Sequence, residues 1–308
     1  MGKFIPMQDL KISKRKPSFP ITEKLHKYLK RYDRDTEIPI NYDDLLRFQG
    51  SIVVYDKDDN DTLWIRVYYN EYEREEIDAS LKKVYSILHS DGNINIMSFL
   101  NVDAIDYCTF GNSKPFRIKV RNILNDNYTY FYVKTADASR VYGLELEHML
   151  SPYNLNFLGD MRSYNYVIVP THDFDHVVYK IRPIDFDQQS YEGKFNIYRP
   201  QFFKENLKMV ELVSEGMQKL SIDQYKTEER SILVKRLKSF QNRIGKLLDC
   251  MVADSISKEE NIDLLKFKIF DYTQDVNFKR CKNMGQILKF SLEFLTRNYE
   301  NVKLENLR

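Results

Sequence analysis

Short runs of β-branched and aromatic residues predict β-strands in the first two thirds of the chain. Residues 51–55 and 63–69 are two such runs, and the polar stretch 56–61 between them predicts the turn of a β-hairpin. Further strands are predicted near Ile94–Phe99 and at 116–120, 128–134, 164–170 and 177–181. The pattern therefore indicates a β-rich N-terminal half.

Apolar residues that recur every three or four positions predict helices around these strands. The predicted helices cover residues 22–32, 73–89, 138–150, 203–220, 223–253, 259–270 and 284–299. Strands and helices together predict an α+β fold. The expected organisation is a basic N-terminal arm with a short helix (1–45), a β-rich lobe with helices (46–150), a central candidate site (151–200) and an α-helical C-terminal domain (201–308).

The composition is that of a globular protein without a global affinity for polyanions. The 308 residues are 43% hydrophobic and 14% aromatic, which excludes a mainly disordered chain. Because 47 Lys and Arg residues balance 45 Asp and Glu residues, the net charge does not attract nucleic acid or membrane. The best local basic patch, Lys11–Pro17, lacks the aromatic residues that stack on bases. Nucleic acid is therefore not an expected partner.

Targeting signals and cysteine usage both favour a cytoplasmic location. The apolar run near the N-terminus is limited to Phe4-Ile5 before Pro6, and no stretch approaches the roughly 20 apolar residues of a membrane span. The three cysteines, Cys108, Cys250 and Cys281, lie far apart, which is typical of a reducing compartment. We expect a cytoplasmic protein with no membrane partner.

Two carboxylates interrupt an apolar, strand-like run at residues 179–189. Asp185 and Asp187 are two positions apart, so a strand would place both on one face and Ile184 and Phe186 on the other. Neighbouring carboxylates repel each other unless a cation or a strong donor lies between them. Either the pair binds a metal ion, or the strand ends in an Asp-rich turn.

The predicted loop 171–176 concentrates further polar side chains. His172, Asp173, Asp175 and His176 offer imidazole and carboxylate ligands for a metal such as zinc. In an ordinary turn the same residue types cap the chain and interact with solvent. The sequence leaves both interpretations open.

A lysine at the end of a strand precedes a helix that carries a glutamate. Lys134 ends the predicted strand 128–134, and Glu145 lies within the apolar stripe of the next helix, whereas Glu147 lies away from it. An inward carboxylate is costly unless it is paired. The pattern therefore predicts that Glu145 faces inward and pairs with Lys134; alternatively, both side chains extend to solvent.

The order of these residues resembles the protein-kinase-like superfamily, and its aminoglycoside-phosphotransferase-like and lipid-kinase-like branches look closest, over about residues 100–200. In that superfamily a strand lysine, steadied by a helix glutamate, holds the ATP phosphates, one aspartate accepts the substrate proton and another binds magnesium. The resemblance implies a two-lobed core with ATP and Mg²⁺ as cofactors, either in an active phosphotransferase or in a pseudokinase. The implied roles are ATP binding by Lys134 and Glu145, proton acceptance by Asp173 or Asp175, and magnesium binding by Asp185 and Asp187.

Two other functions fit parts of the same sequence. Asp185 or Asp187 followed by Glu192-Gly193-Lys194 resembles the acid and E-x-K pattern of magnesium-dependent, restriction-like nucleases. The third hypothesis is a non-enzymatic interaction or scaffold protein whose C-terminal helices bind a protein partner.

Overall fold

The chain forms a mixed α and β structure in two compact units. The computed structural model describes residues 17–110, 113–150, 166–173, 176–183, 215–254 and 256–298. The first unit comprises residues 1–17 and 35–135, and the second comprises residues 18–34 and 136–308. In chain order the elements are α1 (Glu23–Arg31), α2 (Tyr42–Leu45), β1 (Gly50–Tyr55), β2 (Asp61–Tyr68), α3 (Glu71–His89), a 3₁₀ helix (Ile94–Phe99), β3 (Leu100–Cys108), β4 (Phe116–Asn122), β5 (Tyr128–Val133), α4 (Ala138–Leu150), β6 (Tyr166–Asp173), β7 (His176–Pro183), α5 (Lys219–Ser239), α6 (Gln241–Asp254), α7 (Glu259–Thr273), a second 3₁₀ helix (Val276–Arg280) and α8 (Met284–Asn298).

The first unit is built on an antiparallel sheet with the strand order β1-β2-β3-β4-β5. Helix α3 packs on one face, where alternate strand residues point. Ile77 and Leu81 of the helix and Val102, Phe116 and Ile118 of the strands are all 3% exposed or less. Burying an apolar side chain of this size contributes roughly 1.5–3 kcal/mol, so this one-sided core stabilises the unit.

The prediction of a strand near Ile94–Phe99 is wrong, because these residues form a 3₁₀ helix. The side chain of Asn93 accepts a hydrogen bond from the backbone N–H of Asn95 at 3.0 Å, which caps the first turn. The strand follows directly as β3, which the apolar pattern did not predict. Asp103 and Asp106 interrupt that pattern, and both form ion pairs with cations of the neighbouring strands.

Helices α1, α4, α6 and α8 share the core of the second unit. Leu25, Leu146, Leu247 and Ile287, one from each helix, are at most 3% exposed. The prediction of α1 is confirmed, and its first turn is capped by the hydroxyl of Thr22, which accepts a hydrogen bond from the N–H of Leu25 at 3.3 Å. Among the described helices, none is both long enough and apolar enough to cross a bilayer.

The single helix predicted at 223–253 consists of two helices that meet at Phe240. No glycine or proline lies at the break, and apolar residues continue through it, so the local sequence does not mark it. Residues 203–214 of the predicted helix 203–220 lie outside the described residues. Beyond the break, the predictions at 259–270 and 284–299 are confirmed as α7 and α8.

Candidate functional site

Helix α4 begins at a carboxylate that fixes its first turn. One oxygen of Asp137 accepts hydrogen bonds from the Ser139 hydroxyl at 2.7 Å and from the backbone N–H of Arg140 at 3.1 Å. The other oxygen accepts from the backbone N–H of Phe19 at 3.3 Å. A carboxylate is favoured here because the helix N-terminus carries unpaired N–H groups and partial positive charge. The segment before α1 is thereby attached to the start of α4.

The inward orientation predicted for Glu145 is confirmed, since the residue is 2% exposed. Oxygen Oε1 accepts from Nε of Arg34 at 2.6 Å, and Oε2 accepts from Nη2 of Arg243 at 2.8 Å. The hydroxyl of Tyr28 lies 3.5 Å from Oε2 and accepts from Nε of Arg243 at 3.2 Å. Two arginines thus provide the counter-charge that a buried carboxylate requires.

The environment of this cluster changes two pKa values. Burial raises the pKa of Tyr28 to about 12, and the nearby Glu145 charge adds to the rise while the hydrogen bond from Arg243 opposes it. Burial also lowers the pKa of His148, with a further contribution from the charge of Arg34. The cluster therefore favours a neutral phenol and a neutral imidazole.

The second glutamate of α4 is also buried, although the sequence predicted an inward position only for Glu145. Glu147 is 4% exposed, because helix α4 is covered around most of its circumference. At its end, Arg236 donates from Nε to the carbonyl oxygen of Met149 at 2.9 Å and from Nη2 to that of His148 at 3.1 Å. These bonds satisfy carbonyl groups that the helix end leaves unpaired.

Lys134 directly follows β5. The strand ends at Val133, one residue earlier than the predicted strand 128–134. Val133 is paired with Phe116 of β4, so Lys134 begins the connection to α4. Lys134 belongs to the first unit and Glu145 to the second. The prediction that Glu145 pairs with Lys134 is wrong, because the two carboxylate oxygens of Glu145 pair with Arg34 and Arg243.

Strands β6 and β7 form an antiparallel hairpin with a defined open end and closed end. Tyr166 is paired with Pro183 at the open end, and Asp173 is paired with His176 at the closed end. Seven residue steps of about 3.4 Å separate the two ends by about 24 Å. Asp173 thus lies at the closed end, whereas Asp185 comes two residues after the open end.

The sequence contains a pair of polar residues that the predictions above did not use. In the catalytic loop of protein kinases, an aspartate is followed five positions later by an asparagine that binds magnesium. Positions 178 and 180, five after Asp173 and Asp175, are Val and Lys. Asp160 does have Asn165 at this spacing, immediately before β6. The five-residue spacing, next to a predicted strand, is the sequence signal that could have identified Asp160 and Asn165.

Several predicted site residues lie outside the described part of the chain. These are Asp175, Asp185, Asp187, Glu192 and Lys194, together with Asp160 and Asn165. Among the described residues, no group of three or more His, Cys, Asp or Glu side chains could hold a metal ion. The predicted metal ligands thus stay predictions.

No protein-family model, curated protein or solved structure matches the chain.

Proposed function

We propose that the chain is an ATP- and magnesium-dependent phosphotransferase, or its pseudokinase relative, with a kinase-like two-lobed core. In this proposal Lys134 binds the ATP phosphates and Asp160 accepts the proton of the attacking hydroxyl. Asn165, Asp185 and Asp187 bind magnesium. This proposal assigns the base to Asp160, and the roles that the resemblance implied for Asp173 or Asp175 stay predictions.

The observation that supports this proposal best is the register of the β6–β7 hairpin. Pairing of Tyr166 with Pro183 brings together the two chain segments that lead to Asn165 and to Asp185. Asn165 directly precedes Tyr166, and Asp185 comes two residues after Pro183. Each residue spans at most about 3.6 Å. Amide and carboxylate oxygens, the groups that Asn165 and Asp185 would supply, are the hard oxygen ligands that Mg²⁺ prefers.

In this proposal the hairpin register is our reason for choosing Asp160 over Asp173 as the base. A general base must approach the nucleophile that attacks the phosphate bound beside the metal ligands. Asp173 is at the closed end, about 24 Å of strand away from Pro183. Asp160 precedes Tyr166, at the open end, by six residues, and Asp185 follows Pro183, at the same end, by two.

Glu145 takes a different role from the one that the resemblance implied. Its two oxygens bind Arg34 and Arg243, so we assign it to fixing α4 against α1 and α6. The phosphate contact then belongs to Lys134, whose ammonium carries three donors for phosphate oxygens.

Phosphoryl transfer needs positioning and positive charge more than covalent chemistry from the protein. Lys134 neutralises charge on the phosphates, and Asp160 orients the attacking hydroxyl and takes its proton. Bound magnesium supplies further positive charge on the phosphate oxygens. Asn165 and Asp185 fix where that charge lies.

Thermal denaturation with ATP, with and without magnesium, tests the proposal. A ligand at about 100 times its dissociation constant adds roughly 2.7 kcal/mol to the free energy of unfolding, so we expect a magnesium-dependent rise in Tm. Lys134→Ala should remove the rise. Asp160→Asn should keep it and lose the slow release of inorganic phosphate from ATP, if the chain is active. The proposal fails if ATP with magnesium produces no rise in the wild-type protein.

A further inference from the structure

The face of the five-stranded sheet opposite α3 carries two parallel rows of side chains. Strand β4 contributes cations at every second position, and β5 contributes tyrosines at the positions paired with them. The pairs in register are Arg117 with Tyr132, Lys119 with Tyr130, and Arg121 with Tyr128. We call these residues, together with Trp64 and Arg66 of β2, the aromatic-cationic face.

Two carboxylates hold the cations of this face in place. Asp106 is 1% exposed and accepts from Arg66 at 2.9 Å and from Arg117 at 2.8 Å. Asp103 accepts from Arg121 at 3.1 Å and lies 3.8 Å from Nζ of Lys119. A third, exposed carboxylate, that of Asp126, also pairs with Arg121 at 3.0 Å. Four cations against three carboxylates leave a surplus of one positive charge. Because an arginine has five N–H donors, these ion pairs leave donors for a further anion.

The rings and the cations are stacked on one another rather than dispersed. The guanidinium of Arg117 lies 4.6 Å from the Trp64 ring centre and 5.6 Å from that of Tyr130. Nζ of Lys119 lies 4.4 Å from the Tyr128 ring centre. Tyr128 and Tyr130 are nevertheless 58% and 44% exposed. The face is thus pre-ordered and still presents aromatic surface to solvent.

We propose that the aromatic-cationic face binds single-stranded nucleic acid. Successive members of each row are about 6.8 Å apart, so the face presents repeated pairs of a cation and a ring along one direction. A single strand offers the matching repeat of phosphates and unpaired bases, and bases stack on aromatic side chains with little sequence preference. In a duplex the base faces are stacked on each other. An acidic polypeptide would pair with the cations and leave the rings unused.

The sequence did not predict this partner because the face is not contiguous in the chain. Its cations come from β2 and β4 and its rings from β2 and β5, separated by as many as 68 positions between Trp64 and Tyr132. The contiguous basic segment Lys11–Pro17 has no such rings. Only the antiparallel register assembles the surface.

The face contains its own reporter, because Trp64 is the single tryptophan of the chain. Titration with 12-nucleotide oligo(dT) and oligo(U) should quench its fluorescence to saturation. Tyr130→Ala should weaken binding at least fivefold, since a base stacked on an aromatic ring contributes about 1–3 kcal/mol. Lys119→Ala should weaken binding and reduce its dependence on salt. Tyr72→Ala, at a tyrosine that is 79% exposed on α3, is the matched control and should change neither.

Three results would overturn this inference. The first is no change in Trp64 fluorescence or oligonucleotide anisotropy up to about 100 μM protein, the weak end of non-specific binding. The second is equal quenching by ATP with magnesium at the same nucleotide concentration, which would indicate a mononucleotide site. The third is displacement of oligo(dT) by polyglutamate at equal charge, which would indicate an acidic protein partner. These outcomes do not depend on Asp185, so they are independent of the proposed phosphotransferase activity.

Discussion

Nε of Arg34 donates to the buried Oε1 of Glu145 at 2.6 Å, across 111 positions of the chain. Glu145→Gln removes the negative charge that both arginines of the cluster share. We expect a loss of about 3 kcal/mol in the free energy of unfolding, because removing one partner of a buried ion pair leaves the other charge uncompensated. Urea denaturation measures this loss.

Glu23→Gln is the control for this prediction. Glu23 also pairs with a cation, Lys27, but the two side chains are 81% and 73% exposed, and exposed pairs contribute little. Equal effects of the two substitutions would contradict a stabilising role for the Glu145 cluster.

Asp106→Asn tests the carboxylate that orders the aromatic-cationic face. Asp106 is buried and bridges Arg66 and Arg117, so we expect a loss of about 2 kcal/mol in stability. The comparison is Asp126→Asn, because Asp126 pairs with Arg121 but is 81% exposed. Thermal melts should show a lower Tm for the first variant and no measurable change for the second. A lower Tm in both would mean that burial does not explain the effect.

Two helical glycines are predicted to respond in opposite ways to alanine. A Cβ at Gly285 of α8 would lie 2.8 Å from Cγ2 and 2.9 Å from the backbone nitrogen of Val252 in α6. We expect Gly285→Ala to cost about 1–3 kcal/mol through overpacking. A Cβ at Gly245 of α6 would meet nothing within 4 Å, so Gly245→Ala should gain about 0.5–1 kcal/mol from helix propensity. Denaturant midpoints measure both, and a stabilising Gly285→Ala would refute the close approach of α8 to α6.

Acid should destabilise the protein partly through His148. Burial, with the charges of Arg34, Arg243 and Arg236, holds the pKa of His148 below its usual 6.5, and the charge of Glu145 opposes this shift. The unfolded chain therefore binds the proton first as the pH falls below about 6.5, so the neutral imidazole's contribution is present above that pH and is lost below it. His148→Gln should lose less stability between pH 7 and pH 5 than the wild-type protein does. Identical losses would show that another group causes the acid sensitivity.

The elements that could be predicted are those whose local pattern agrees with their tertiary position. Helix α4 follows from its apolar period and its Asp137 cap, and the β1–β2 hairpin follows from its two β-branched and aromatic runs. Strand β3 could not be predicted in the same way. Asp103 and Asp106 of β3 pair with cations of the aromatic-cationic face. Their partners Arg121 and Arg66 come from other strands.

The same distinction applies to the candidate site. The burial of Glu145 follows from the helical period, but its partners Arg34 and Arg243 lie 111 and 98 positions away, so no local pattern identifies them. The loop predicted at 171–176 is wrong at both ends, because residues 171–173 belong to β6 and His176 to β7, and the polar residues of this stretch do not reveal the register. The register pairs Tyr166, which follows Asn165, with Pro183, which precedes Asp185 by two residues. With the register known, the five-residue spacing of Asp160 and Asn165 becomes a reason to propose them as site residues.

Calorimetric titration with ATP and magnesium is the most direct test of the proposed phosphotransferase. The wild-type protein should bind one ATP per chain with an affinity that depends on magnesium. Asp185→Asn should weaken binding at least tenfold, whereas the matched Asp173→Asn, at the closed end of the hairpin, should leave it unchanged. Absence of binding by the wild-type protein, or equal weakening by the two substitutions, would contradict the account.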